Sequence, residues 1–352
     1  MLSLRSKPLL LGLGLCALLG LLSFVSLQAG AGGQSFGLGD LWQALLALLG
    51  LDREATPIIL QLRLRRIMTA AGVGASLALA GAYLQGLFRN SLASPSVLGV
   101  TAGASLGAAI AIALLGGFGA GYVASSALGP AMISAAAFLG ALLVTWGVVA
   151  LSTQEGRLSV PTLLLAGIAI NSVIGGIMAA VQSITLEDFE VARSILNWSF
   201  GNVDDRSGLQ VLVIYIGLLL ALAPIPFVAR ELDLFAGGEE DAQALGVPVA
   251  RVKALVLGAA TVATACSVSV AGQVPFVGLV VPHLVRALVG AGHRSLLPFC
   301  VVTGALCFVA CDLLQHTWLA GTGLRPGAMM SLIGGPFFLM LLIKKRGGLV
   351  QW

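Results

Sequence analysis

The sequence predicts an all-α fold, a polytopic membrane helical bundle of about ten transmembrane helices. Three observations predict it. Apolar residues fill 58% of 352 positions and charged residues only 10%, with a mean hydropathy of +1.01. Soluble domains carry about 25% charged residues, so this chain lacks the polar groups to cover a water-facing surface. The apolar residues also run continuously over lengths near 20, the length a helix needs to cross a bilayer. Barrel strands would alternate polar and apolar residues instead. Finally, positive charge is distributed unevenly between the two sets of connecting segments.

The expected spans are about 8–28, 64–88, 95–115, 122–151, 160–184, 209–229, 252–272, 276–290, 295–319 and 326–343. In the first, Arg5 and Lys7 precede an apolar run from Leu9 to Leu27. That run exceeds a usual signal core and reads as a retained first span. With ten spans and the N-terminus inside, 12 of the 19 Lys and Arg residues fall on the cytoplasmic side, including all four Lys. This is the positive-inside pattern. It places both termini in the cytoplasm and argues against reading the basic charge as nucleic-acid binding.

Polar interruptions are few. They cover about Gln28–Gln61, Thr185–Ser207 and Arg230–Lys253. In the last, Glu239, Glu240, Asp241, Ala242, Leu245 and Gly246 read as a short helix capped by Gly246 and stopped by Pro248. Small residues four apart, Gly72/Ser76/Ala80 and Gly99/Gly103/Gly107, are expected to let helices approach closely. Cys300, Cys307 and Cys311 share one helical face, where thiols act as small apolar packing groups. Trp198 and Trp42 are expected at the outer interface. No lysine follows a glycine, so the phosphate-cradling loop of an ATPase is missing. Asp312 is the one acid inside an expected span, with His316 a turn later. An intramembrane acid is a functional candidate, and a proton-coupled secondary transporter would use this pair. The alternative is a hydrogen-bonded structural pair. His283 reads as structural rather than as a ligand.

Three segments carry a family resemblance. They are Leu62–Gly107, containing RNSLASP; Gly238–Val247, GEEDAQALGV; and Gly272–Arg294, GQVPFVGLVVPHLVRALVGAGHR, followed by IGGPFFLMLL at 333–342. Together these resemble the FecCD-type permease subunits of the iron-siderophore, haem and vitamin B12 ABC importers. The resemblance implies a single transmembrane permease domain over 1–352 with a B12-permease-like type II importer fold. It implies a homodimer in the bacterial inner membrane, two ABC ATPase subunits holding ATP and Mg, and a periplasmic substrate-binding protein. It assigns ATPase coupling to the segment at about 230–253, including Glu239–Gly246. It assigns binding-protein docking to Arg63 and Arg66, and a cytoplasmic gate to Asn90 and Leu92; Asn90 is equally placed to cap its own turn. Ser91, His316 and Gly323–Gly327 depart from the family pattern. Arg325 is expected to supply the docking charge that neutral His316 lacks. The implied cargo is a ferric siderophore or a related chelate such as haem or cobalamin, with no cofactor or metal held by this chain.

Overall fold

The computed structural model describes residues 6–29, 39–40, 58–117, 128–154, 157–319 and 321–346. The helices are α1 (Ser6–Gln28), α2 (Ile58–Leu87), α3 (Val100–Leu115), α4 (Leu128–Ser152), α5 (Val160–Thr185), α6 (Phe189–Ser199), α7 (Gly208–Leu222), α8 (Ile225–Leu234), α9 (Glu239–Ala244), α10 (Val249–Ala271), α11 (Val277–Val289), α12 (His293–Thr317) and α13 (Pro326–Arg346). A two-residue antiparallel ladder, β1 (Thr153–Gln154) with β2 (Arg157–Leu158), links α4 to α5.

α2 is the axle of the bundle. Its apolar stretch is 89% buried, and α7, α10, α11 and α12 all pack on it. Its small residues make this possible. A methyl group added at Gly74 would overlap the Gly304 carbonyl of α12, and one at Gly81 would overlap the Gly278 carbonyl of α11. Backbone-to-backbone approach of this kind drives association where lipid removes the hydrophobic incentive. Gly103 and Gly107 of α3 likewise lie on the backbone of α4 at Gly140 and Ala136. Two tyrosines add polar ties: Tyr83 Oη donates to Ala221 O at 2.8 Å and Tyr215 Oη to Met68 O at 3.2 Å.

All ten expected segments contain helix, with four corrections. The stretch 209–229 is not one straight span. α7 ends before Pro224 and α8 follows at 53°, because proline lacks the N–H that the helical ladder needs. The stretch 95–115 begins as a single 3₁₀ turn, Pro95–Leu98; Gly99 at φ 77° then breaks it before α3 starts. Residue 99 needs that left-handed conformation, which glycine adopts at little cost. Residues 185–207, read only as a polar stretch, contain amphipathic α6. Asp188 caps it by accepting from the N–H groups of Glu190 and Val191. Trp198 is 5% exposed on the inner face of α6 rather than at an interface. Trp42 and residues 122–127 lie outside the described residues.

Among the described residues six helices are single elements long and apolar enough to cross a membrane, and α7 with α8 makes a seventh if the bent pair is one span. α3, α11 and α13 are shorter apolar helices. At 1.5 Å per residue, 13-residue α11 covers about 20 Å, less than the ~30 Å hydrocarbon core.

Candidate functional site

Three places combine unusual chemistry with position: the two ends of α2 and the exposed length of α5. From Arg66 to Leu87, α2 rises about 32 Å, so its ends lie at opposite faces of the apolar zone.

At the Arg66 end, charge is gathered inside the protein. Arg66 Nε donates to both carboxylate oxygens of Asp312 (2.9 and 3.1 Å), and Nη2 donates to Oδ1 at 2.8 Å. Nη2 also reaches Gln315 Oε1 at 2.9 Å, while Nη1 meets Asp204 and His316 Nε2. Arg325 holds the other oxygen of Asp204 at 3.2 Å. Side-chain exposure is 11% for Arg66 and 2% for Asp312. A buried bidentate pair with further hydrogen bonds is the arrangement that makes charge tolerable in low dielectric. Because Arg66 occupies His316 Nε2, that atom must accept. The ring therefore takes the neutral Nδ1–H tautomer, donating to Gln315 Oε1 at 3.2 Å. Nearby Arg206 donates from Nη2 to Asn202 O at 3.0 Å, and burial pushes its pKa down to about 10. Arg63 Nη1 donates to Leu27 O at 2.7 Å, closing the end of α1.

The opposite end presents charge outward. α9 begins after Gly238 with Glu239, Glu240 and Asp241 in its first turn, all exposed. Gly246 at φ 86° ends it and Pro248 precedes α10, as the sequence suggested. Ala242 is fully buried against its own chain, whereas Leu245 is 67% exposed. The outward face of α9 is thus made of the acids and Leu245. One side chain that sequence reasoning missed anchors α9. Lys253 Nζ donates to Glu239 Oε2 at 2.6 Å and to Leu158 O at 2.8 Å. Its own side chain is 7% exposed. A lysine and an acid flanking a short capped helix were the available signal. In the loop after α2, Asn90 Oδ1 accepts from Leu92 N at 3.0 Å, an Asx turn. Asn90 is exposed and Leu92 half-buried. Deeper, Gln85 Nε2 donates to Gly278 O at 3.2 Å and its Oε1 accepts from Arg286.

α5 is apolar nearly all round, yet only 11% of its membrane-length stretch is buried. Leu165, Ile168, Val173 and Ile184 are 60–81% exposed, and methyl groups at Gly175 and Gly176 would meet nothing within 4 Å. The cysteine face of α12 is packing. Cys300 and Cys311 are buried, and Cys311 donates to Pro326 O at 3.7 Å. Among the described residues no group of three His, Cys, Asp or Glu could hold a metal ion.

A multi-span bundle without a soluble domain among its described residues, carrying a short outward helix at one end, is a polytopic membrane protein. The chain belongs to the FecCD transport family, whose pattern matches residues 17–344. It is similar to the cobalamin import system permease protein BtuC of Halobacterium salinarum, 40% identical over 301 residues, covering 83% of this chain and 75% of that one. The hemin transport system permease protein HmuU of Yersinia pestis is 36% identical over 295 residues, covering 82% and 84%. Among solved structures, an inward-facing ABC transporter of metal-chelate type matches with a TM-score of 0.77 and 29% identity, over 94% of this chain and 98% of that one. The chain is a permease subunit of the ABC-importer class, a transport component rather than an enzyme.

Proposed function

We propose that this permease carries a metal chelate inward across the bacterial inner membrane by alternating access. Two copies pair, two ABC ATPase subunits dock on α9 of each copy with their ATP and Mg, and a soluble binding protein delivers cargo at the Arg66 end. The α9 end is then cytoplasmic, as are both termini. The observation that carries this reading is α9 itself. It is a helix too short to be stable alone, held by the Lys253–Glu239 pair, with Glu240, Asp241 and Leu245 facing out. Such a helix suits a groove on another protein. Exposed α5 supports the pairing, because a second copy would cover its apolar surface and line a path between the two. Arg63, Arg66 and Arg325 are the docking candidates for acidic groups on a binding protein, and Asn90 and Leu92 the candidate gate. For Arg66, docking requires a partner carboxylate to share or displace Asp204.

The cargo class is a ferric siderophore, haem or cobalamin. A path lined by small and apolar residues suits a bulky chelate; a bare cation wants rings of oxygen ligands. Asp312 held in a bidentate pair with Arg66 disfavours the proton-carrier alternative, since a carried proton needs a carboxylate free to exchange.

Gentle extraction from native membranes, with mass spectrometry of what co-purifies, tests the reading. The expected result is a stoichiometric ABC ATPase with two permease copies, and a binding protein whose ligand names the cargo. A homogeneous oligomer of this chain alone that transports on a proton gradient would overturn it.

A further inference from the structure

Beside α9 the surface opens into a groove of about 1200 Å³ between α4 and α10. It exists because of the bend at Pro224. α7 runs against α10, but after the 53° turn α8 packs chiefly on α12. Asp233 of α8 secures that choice, accepting from the backbone N–H of His293 at 2.9 Å and contacting its Nδ1 at 2.6 Å. Among the described residues, no helix covers the half of α10 nearest α9 on the α4 side.

The groove has the dimensions and polarity of one bilayer leaflet. Its walls reach Leu142 on α4 and Val262 on α10. By helical rise, these lie about 15 Å from the α4 end at Ser152 and about 20 Å from the α10 start at Val249. Half the ~30 Å hydrocarbon core is a similar length. The upper lining is mostly apolar, with Thr145 and Thr261 its polar members, and Trp146, 72% exposed, stands about 9 Å from the α4 end, where indole favours the headgroup boundary. The lower rim carries two charges of each sign. Lys253 and Glu239 neutralise one another. Arg251 and Glu240 line the same rim, both exposed, with no ion-pair partner among the described residues. This capacity, about 1200 Å³, exceeds the roughly 300–1,000 Å³ of small-molecule sites.

We propose that this groove holds one aminophospholipid of the leaflet on the α9 side, with acyl chain along α4 and α10, phosphate on Arg251 and ammonium on Glu240. One free charge of each sign matches a zwitterionic headgroup; a purely anionic one would leave its charge facing Glu240. The lipid would lie against α9, so the element that docks an ATPase shares its floor with a lipid. This placement rests on the functional reading only for the side of the membrane; the groove itself does not depend on it.

The test uses the intact complex in nanodiscs of phosphatidylethanolamine with phosphatidylglycerol, stripped stepwise with detergent and weighed by native mass spectrometry. One phosphatidylethanolamine per permease chain is expected to survive stripping. Gly258 lines the groove and a Cβ there meets nothing within 4 Å, so Gly258→Phe fills the groove without displacing the fold and should abolish retention. The double variant Arg251→Gln/Glu240→Gln should lose the preference for phosphatidylethanolamine. No retained lipid, retention unchanged in Gly258→Phe, or equal retention of phosphatidylglycerol in the parent each overturns the proposal. Lipid is counted on the permease mass and ATPase subunits on the complex mass, so failure of one reading is visible apart from the other.

Discussion

The two ends of α2 handle charge in opposite ways. At one end Arg66 is spent internally, with every guanidinium nitrogen engaged by Asp312, Asp204, Gln315 or His316. At the other, Lys253 and His293 are buried against Glu239 and Asp233, while Glu240 and Asp241 of α9 point outward. The difference teaches what each end is built for. A cation pulled into low dielectric persists only when carboxylates surround it, so the Arg66 cluster fastens α2, α12 and the segments carrying Asp204 and Arg325 into one rigid cap. Exposed acids on an anchored one-turn helix hold little together within the chain. They remain available to a partner.

The sharpest way to break this contrast is Asp312→Ala. It leaves Arg66 buried with its main partner gone, and about 3–5 kcal/mol of stability should be lost. A thermal melt of the detergent-solubilised protein would read this as a large fall in Tm. Removing both partners, Arg66→Met with Asp312→Leu, should recover most of the loss. If the double variant is no better than the single, the pair is not the source of the cost. At the other end, Lys253→Met strips a hydrogen bond from half-buried Leu158 O and frees half-exposed Glu239. About 1–3 kcal/mol is at stake, concentrated in α9. Faster amide exchange over 239–246, with little change in α2, is the expected signature.

Much of the bundle was legible because lipid imposes one simple demand, a continuous apolar run that satisfies its own backbone. The α9 stop was legible too, since Gly246 and Pro248 act locally. What hydropathy averages conceal is direction and company. Pro224 sits inside an apolar run and so did not mark the bend that creates the groove. Gly99 looked like one more small residue rather than a break before α3. α6 was hidden by its acids, and Trp198 by a rule about interfaces that fails when an amphipathic helix turns inward. The Asp312–His316 pair was visible at one-turn spacing. Arg66, 246 positions away from Asp312, was visible only as an end-of-helix arginine. Ala242 reads from sequence as part of a docking face, although its side chain is fully buried against its own chain.

Two smaller substitutions sharpen the contrast without threatening the fold. Leu245 is 67% exposed, so Leu245→Asp should leave Tm nearly unchanged, as surface substitutions usually do. On the proposed coupling face it should weaken ATPase association about tenfold or more, near 1.4 kcal/mol, read by co-purification at graded detergent. Intact association would move the docking surface off Leu245. Arg325→Glu is the subtlest. Its pair with Asp204 is partly exposed, 30% and 26%, and such pairs contribute about 0–1 kcal/mol. Stability should therefore shift little, even though the new carboxylate faces Asp204. Exposed charge acts mainly on encounter with a partner. The expected result is a slower, more salt-dependent association with the binding protein and a nearly unchanged dissociation rate. Unchanged association would show that Arg325 serves the cap alone, and that delivery of cargo relies on Arg63, Arg66 or charges outside this cluster.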